Sequence, residues 1–211
     1  MNIPIWDLIY QQAIIPVLVI KQTQSALPLA QALLAGGMQM VEVTLRSEAA
    51  LPAIRSIHQH FPELVLAAGT VLTVSQAQQA VEAGCRFLVS PGLDDELAGW
   101  AQTNGIPLLA GAVTATEIMR GLKLGMSTFK FFPSQSMGGL ETIQALADPF
   151  IGIHFIPTGG INAENVQTYL KHPRIWAAGG SWMARPKWIE NGEWERITQE
   201  TRAALSNVVR Q

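Results

Sequence analysis

Short apolar runs alternate with segments of helical period along the whole chain. The runs at 14–20, 40–45, 64–69, 86–90, 107–111, 128–132, 154–158 and 175–179 predict strands, because each is a near-continuous apolar stretch bounded by polar or turn residues. Between them, apolar residues recur every three or four positions. That period predicts helices over 26–35, 48–60, 75–83, 94–103, 115–124, 139–147 and 163–171, one after each of the first seven strands. An amphipathic helix over 194–209 closes the pattern, and a further amphipathic segment, 3–12, precedes the first strand. Ser75 and Asn162 stand where helix N-caps are expected. Gly36, Gly37, Gly84, Gly105 and Gly125 stand where helices should stop.

Strands without apolar–polar alternation are buried on both faces, as in a parallel sheet covered by helices. Eight strand–helix units at a repeat of roughly two dozen residues predict an α/β fold. The expectation is a single-domain (β/α)8 TIM barrel over 1–211 with an extra N-terminal helix. A doubly wound open sheet is the competing architecture. It is disfavoured because no glycine-rich dinucleotide fingerprint follows the first strand.

Composition narrows the function. With 48% hydrophobic and only 14% charged residues, the chain suits one large core and no disordered tail. A formal net charge of -2 with no basic patch argues against a nucleic-acid partner. The first long apolar run, 13–20, contains Pro16, follows no basic leader and is too short to span a bilayer. A cytoplasmic protein with no membrane partner is expected. The single cysteine, Cys85, excludes an internal disulfide and reads as a small core residue.

The candidate chemistry centres on one lysine. Lys130 lies within the apolar run Thr128-Phe129-Lys130-Phe131-Phe132-Pro133. An ammonium is costly to keep charged in apolar surroundings, and a neutral amine is a nucleophile that forms a Schiff base with a ketone or aldehyde. The plain alternative is a lysine whose stem lies on apolar surface while its head reaches water. Strand parity weighs against it. Thr128, Lys130 and Phe132 share one face, and Phe129 and Phe131 share the face that suits the helices. In the second strand Met40, Glu42, Thr44 and Arg46 share the inward face, while Val41, Val43 and Leu45 take the outward one. Glu42 and Lys130 are therefore expected to point into the barrel together. An ion pair there adds little net stability, so a functional pair is the better reading. Lys21, at the end of the first apolar run, is a decoy able to reach the site mouth.

Two glycine pairs add a second feature. Gly159-Gly160 follows the seventh strand and Gly179-Gly180-Ser181 follows the eighth. Loops at those places in such barrels often hold a phosphate, because glycine lets backbone N–H groups approach an anion closely. Either pair alone would be an ordinary turn. His58, His60, His154 and His172 are scattered, and no spacing of His, Cys, Asp or Glu makes a metal site. The late tryptophans Trp176, Trp182, Trp188 and Trp194 read as packing around the last helix or as a subunit contact, with packing favoured.

The same residues carry a resemblance. Val41-Glu42-Val43-Thr44-Leu45-Arg46, Ala68-Gly69-Thr70-Val71-Leu72, Ser90-Pro91-Gly92, Phe129-Lys130-Phe131-Phe132-Pro133, Pro157-Thr158-Gly159-Gly160-Ile161 and Gly179-Gly180-Ser181-Trp182 occur in order. In these motifs the chain resembles, essentially end to end, the 2-keto-3-deoxy-6-phosphogluconate (KDPG) aldolases. That family includes enzymes also acting on 2-keto-4-hydroxyglutarate (KHG). The resemblance implies a metal-independent class I aldolase without a cofactor, acting on a small 2-keto acid and assembled as a homotrimer. It implies Lys130 as the Schiff-base lysine and Glu42 as the general acid/base. Arg46, Thr70 and Pro91 match residues around the pyruvate-derived portion, with Arg46 and Thr70 near its carboxylate. Phe132 matches a pocket wall, and Thr158, Gly159, Gly160, Gly180 and Ser181 match the region holding the distal phosphate.

The chain departs from the family pattern in three places. Pro133-Ser134-Gln135 stands where Pro-Ala-Glu is usual, Ala110 stands where a proline commonly precedes Gly111, and 183–188 is particular to this chain. These bear on substrate preference more than on mechanism. Cleavage of the galactonate-derived epimer or of unphosphorylated keto acids is the alternative within enzymes. A non-catalytic keto-acid-binding barrel is the alternative outside them.

Overall fold

The computed structural model describes residues 4–208. Ile3 and Val209, which end the predicted segments 3–12 and 194–209, lie outside the described residues. Strands and helices alternate from the start. The first half runs α1 (Ile5–Gln12), β1 (Ile14–Leu18), α2 (Ala26–Ala35), β2 (Met40–Thr44), α3 (Ala50–His60), β3 (Val65–Gly69), α4 (Val74–Glu82), β4 (Phe87–Val89) and α5 (Asp95–Thr103). The second half runs β5 (Leu108–Leu109), α6 (Ala115–Lys123), β6 (Thr128–Phe131), α7 (Gly139–Ala147), β7 (His154–Pro157), α8 (Val166–Leu170), β8 (Ala178–Gly180), α9 (Pro186–Asn191) and α10 (Trp194–Ser206).

All strand pairings are parallel. Six strands pair in the order β5-β4-β3-β2-β1-β8, and β6 pairs with β7. Single parallel bridges link Gly111 to Lys130 and Thr158 to Gly179. The coarse architecture is thus an α/β fold on a curled parallel sheet with helices outside.

Side chains divide by strand parity. Val41, Val43, Phe129 and Phe131 join the core between strands and helices. Ile15, Met40, Phe87, Val89, Leu109 and Ile156 form a second core inside the curl of the sheet, and Ile5, Leu8 and Ile9 of α1 pack onto it. This inner core draws on residues that open strands, such as Met40, Val65 and Phe87. α1 therefore covers the N-terminal ends of the strands. Buried Gln12 secures it there: its amide donates to the carbonyls of Ile14 (2.6 Å) and Met40 (3.0 Å), and its oxygen accepts from the backbone N–H of Gln39 and Met40. The C-terminal strand ends stay open for chemistry.

Several local expectations change. The cap of α4 is Thr73, whose hydroxyl accepts from Gln76 N at 3.2 Å, and Ser75 lies inside the helix. Extended backbone at Thr73 is what an N-cap requires, and the sequence offers two hydroxyl residues two positions apart. Asn162 does accept from the backbone of Glu164 and Asn165, but it closes a turn, and α8 starts only at Val166. α9 was absent from the predicted elements. Its signals are Pro186 at the first turn and Gly192 in the left-handed region just past its end. The helix-ending glycines Gly37, Gly84, Gly105 and Gly125 all have positive φ, as the chain reversal requires.

Candidate active site

Glu42 comes from the middle of β2 and Lys130 from the middle of β6. Both point inside the curl of the sheet, and Lys130 Nζ donates to Glu42 Oε1 at 3.3 Å. Their side chains are 3% and 7% exposed, respectively. Glu42 and Lys130 are the charged side chains among the buried polar residues described. Lys130 is fixed along its backbone, since its N–H donates to Ala110 O and its carbonyl accepts from Ala112 N, both at 2.9 Å. Its ammonium also lies 5.4 Å from the centre of the Phe132 ring.

The neighbouring strand makes room for this pair. A Cβ at Gly69, the last residue of β3, would sit 2.1 Å from Glu42 Oε1, the same oxygen that meets Lys130. Only a residue without a side chain lets the carboxylate lie there. The next residue, Thr70, has φ +59°, a left-handed conformation that β-branched residues rarely adopt and that costs on the order of 1–3 kcal/mol.

A cavity of about 200 Å³ opens above the pair. Glu42 and Lys130 line it together with Arg46, Thr70, Pro91 and Phe132, and their burial puts the pair at its inner end. A second cavity of about 330 Å³ continues from it, sharing Val17, Arg46, Phe132 and Thr158. Gly159, Gly160, Gly180 and Ser181 line this distal part. Each of the site residues expected from sequence therefore lies on one of two contiguous lobes.

Burial falls along the path. Thr158 and Gly180 are buried, Gly159 is half-buried, and Gly160 and Ser181 are exposed. Gly159 and Gly160 have φ +95° and +80°, so the chain turns here through conformations that suit glycine alone. Among the residues lining the two lobes the cations are Lys130 and Arg46, and the acid is Glu42. Arg46 borders both lobes.

The sequence reading left some lining residues unassigned. Thr44 lines the reactive lobe, accepts from Arg46 Nε at 3.2 Å and donates to Leu18 O at 2.9 Å, so it orients the arginine. Its signal was present, since it lies two positions from both Glu42 and Arg46 on the inward face. Val17 and Val19 of the β1 segment, and Ala184 and Pro186 before and within α9, carried no such signal.

Other nucleophiles and bases fall away from the lobes. Burial pushes the Cys85 thiol up to about 12, which leaves it an inert core group. His154 and His172 titrate below the usual range, first through burial and then through the nearby Arg174 charge, and neither lines a lobe. Lys21 is exposed and pairs with Glu190 of α9 at 2.8 Å. No group of three or more His, Cys, Asp or Glu among the described residues could hold a metal ion. No helix among them is long and apolar enough to cross a membrane.

Comparison with known proteins places this geometry. The family model for KDPG and KHG aldolase matches residues 5–200. The 2-dehydro-3-deoxy-phosphogluconate aldolase of Pseudoalteromonas atlantica is 42% identical over 200 residues, covering 95% of this chain and 93% of the relative. The KHG/KDPG aldolase of Escherichia coli is 43% identical over 192 residues, covering 91% and 90%. A solved structure of KDPG aldolase from Legionella pneumophila, with pyruvate captured at low pH as a covalent carbinolamine intermediate, superposes with a TM-score of 0.92. It is 41% identical and covers 94% of this chain and 97% of that one.

Proposed function

The chain belongs to the KDPG and KHG aldolase family, and from that premise we propose that it cleaves KDPG to pyruvate and glyceraldehyde 3-phosphate through a Schiff base on Lys130. It is a carbon–carbon lyase. The observation that carries the assignment of the nucleophile is the buried 3.3 Å contact between Lys130 Nζ and Glu42 Oε1 at the inner end of the cavity. An amine and a proton acceptor in contact, with solvent largely excluded, are what carbinolamine chemistry needs.

In this mechanism Lys130 Nζ, having passed a proton to Glu42, attacks the C2 ketone of the substrate. Glu42 returns protons, directly or through a water, as the carbinolamine loses hydroxide as water and becomes an iminium. Glu42 or that water then removes the C4 hydroxyl proton. The C3–C4 bond breaks, C4 leaves as an aldehyde, and the electron pair moves into the iminium to give an enamine. Protonation at C3 and addition of water at C2 release pyruvate and restore the amine. The iminium is the electron sink, so no step calls for a Lewis acid.

Arg46 and Thr70 are placed to take the C1 carboxylate, with Pro91 and Phe132 as walls. Thr158, Gly159, Gly160, Gly180 and Ser181 would take the distal phosphate, with Arg46 between the two anions. KHG has a carboxylate in place of the phosphate end, and its cleavage to pyruvate and glyoxylate is supported by the shared name of the Escherichia coli relative.

The parallel bridges at Gly111–Lys130 and Thr158–Gly179 support closure of the eight strands into a (β/α)8 barrel serving as one catalytic domain. Kinship with bacterial metabolic enzymes supports a cytoplasmic location, and the family resemblance supports a homotrimer. Pyruvate with sodium borohydride, followed by peptide mass spectrometry, tests the mechanism. A reduced pyruvate adduct on Lys130 is expected. An adduct on another lysine, or none on folded protein, would refute it.

A further inference from the structure

Two loops meet beneath the distal lobe. The loop after β6, which continues directly from Lys130 and Phe132, is bonded to the loop after β7: Ser134 N donates to Thr158 O at 2.8 Å and Gln135 N to Gly159 O at 3.1 Å. Gln135 then lies against the glycine pair itself. A Cβ at Gly160 would sit 2.4 Å from Gln135 Cγ and 2.6 Å from its Cβ. The Gln135 amide Nε2 donates to Tyr169 Oη at 3.0 Å. Ser134 Oγ, in a fully buried residue, donates to the same oxygen at 3.3 Å. Tyr169 is the buried residue of α8 that receives both. On the other side, Asn165 Nδ2 donates to Gly160 O at 2.9 Å.

Gly159 and Gly160 are exposed or half-exposed, have positive φ, and carry no side chain to anchor them. Backbone N–H groups can hold a dianion only if successive peptides keep one orientation. Glycine otherwise has wide conformational freedom, and fixing it on ligand binding costs affinity. Two side chains limit this freedom: Asn165, which holds the Gly160 carbonyl, and Gln135, which packs on the pair and is itself braced by Tyr169.

We infer that Gln135, acting through Tyr169, is a positioning residue that pre-sets the Gly159–Gly160 backbone for a phosphate and so determines the preference for a phosphorylated over an unphosphorylated 2-keto acid. This rests on the reading of the site as a KDPG aldolase. Gln135 lines neither lobe of the site. It leaves the Lys130–Glu42 pair alone, so its removal separates binding at the distal end from chemistry at C2.

The test is steady-state kinetics of pyruvate release from KDPG and from KHG by wild type, Gln135→Ala, Tyr169→Phe and Gln135→Glu, with thermal unfolding of each. Gln135→Ala is expected to raise KM for KDPG about tenfold while kcat, and both constants for KHG, stay within about twofold. Tyr169→Phe should move the same constant in the same direction by a smaller factor. Gln135→Glu keeps the length of the side chain and can accept from the Tyr169 hydroxyl, so it should restore KM to within about twofold of wild type. An unchanged KM for KDPG in Gln135→Ala overturns the inference while leaving the aldolase reading intact. So does an equal loss on both substrates, which would mark a general structural role. Wild-type protein that cleaves neither substrate would remove the aldolase reading and the inference with it.

Discussion

The two lobes of the site are built in opposite ways. The reactive lobe relies on side chains held in mid-strand: Glu42 and Lys130 are almost wholly buried, and the sheet on either side fixes them. The distal lobe relies largely on loop backbone: Gly159 and Gly160 turn through positive φ, and Gly160 and Ser181 face solvent. Bond making needs a fixed geometry and a dry environment, which strands supply. Holding a terminal anion needs donors, which loops supply and which can vary without disturbing the chemistry. Damage to the first lobe should therefore appear in kcat, and damage to the second in KM.

The sharpest break of that comparison is Lys130→Met. It keeps an unbranched apolar chain in the same strand, so the protein should fold, while cleavage and pyruvate trapping both fall to background. Folded Lys130→Met protein that cleaves at the wild-type rate would show that the buried amine is not the nucleophile. The unfolding transition should fall, because removing one member of a buried pair costs about 3–5 kcal/mol, so circular dichroism of the variant checks that the fold is kept.

Glu42→Gln comes next. The amide keeps the contact with Lys130 but cannot cycle a proton, and kcat should fall about 10²–10⁴-fold while slow borohydride trapping persists. Gly69→Ala asks whether this depends on where the carboxylate sits. A methyl 2.1 Å from Glu42 Oε1 must displace it, and a shift near 1 Å should lower kcat by about 10²-fold. The decisive readout is the double variant. If Gly69 acts only through Glu42, Gly69→Ala adds almost nothing in the Glu42→Gln background. Full additivity would mean that the alanine damages the sheet generally.

This contrast also explains what could be read in advance. Strand parity is a rigid rule, so Glu42, Thr44 and Arg46 could be assigned to one face, and Lys130 to the inward face, from their spacing alone. Burial of Phe129 and Phe131 against the helices follows from the same rule. The distal lobe was legible only as glycine pairs in expected places. Loop contacts such as Gln135 with Gly160, or Thr73 in place of Ser75 as a cap, depend on three-dimensional paths that no period encodes. α9 was missed because six residues interrupted by neither a long apolar face nor a polar cap carry little periodicity. The Lys130–Glu42 distance could not be read at all, since it depends on how β2 and β6 face each other across the sheet's curl.

In the distal lobe, Ser181→Ala should act on affinity alone. Ser181 is exposed and lines that cavity. A hydrogen bond to a charged group contributes roughly 1.5 kcal/mol or more, so KM for KDPG should rise about tenfold with kcat retained. Parallel assays with KHG, which lacks the phosphate, should show a smaller change. A fall in kcat without a change in KM would put Ser181 with the reactive lobe and blur the division.

The smallest effect belongs to Lys21→Met, and it tests where the distal lobe ends. Lys21 is the rival lysine at the close of the first apolar run, and its ammonium pairs with Glu190 of α9 at 2.8 Å. The start of α9 matters because Pro186 lines the distal lobe. Both members of the pair are largely exposed, at 63% and 49%. Water and salt screen such pairs, and the helix has stronger anchors in buried Trp188 and Ile189. With the wall held by burial, losing the ion pair should change KM and kcat by less than about twofold and leave trapping at Lys130 intact. A large rise in KM for KDPG that grows as ionic strength falls would instead mean that the surface charge at Lys21 attracts the phosphate of the substrate. The distal lobe would then extend beyond its glycine loops to the rim of β1.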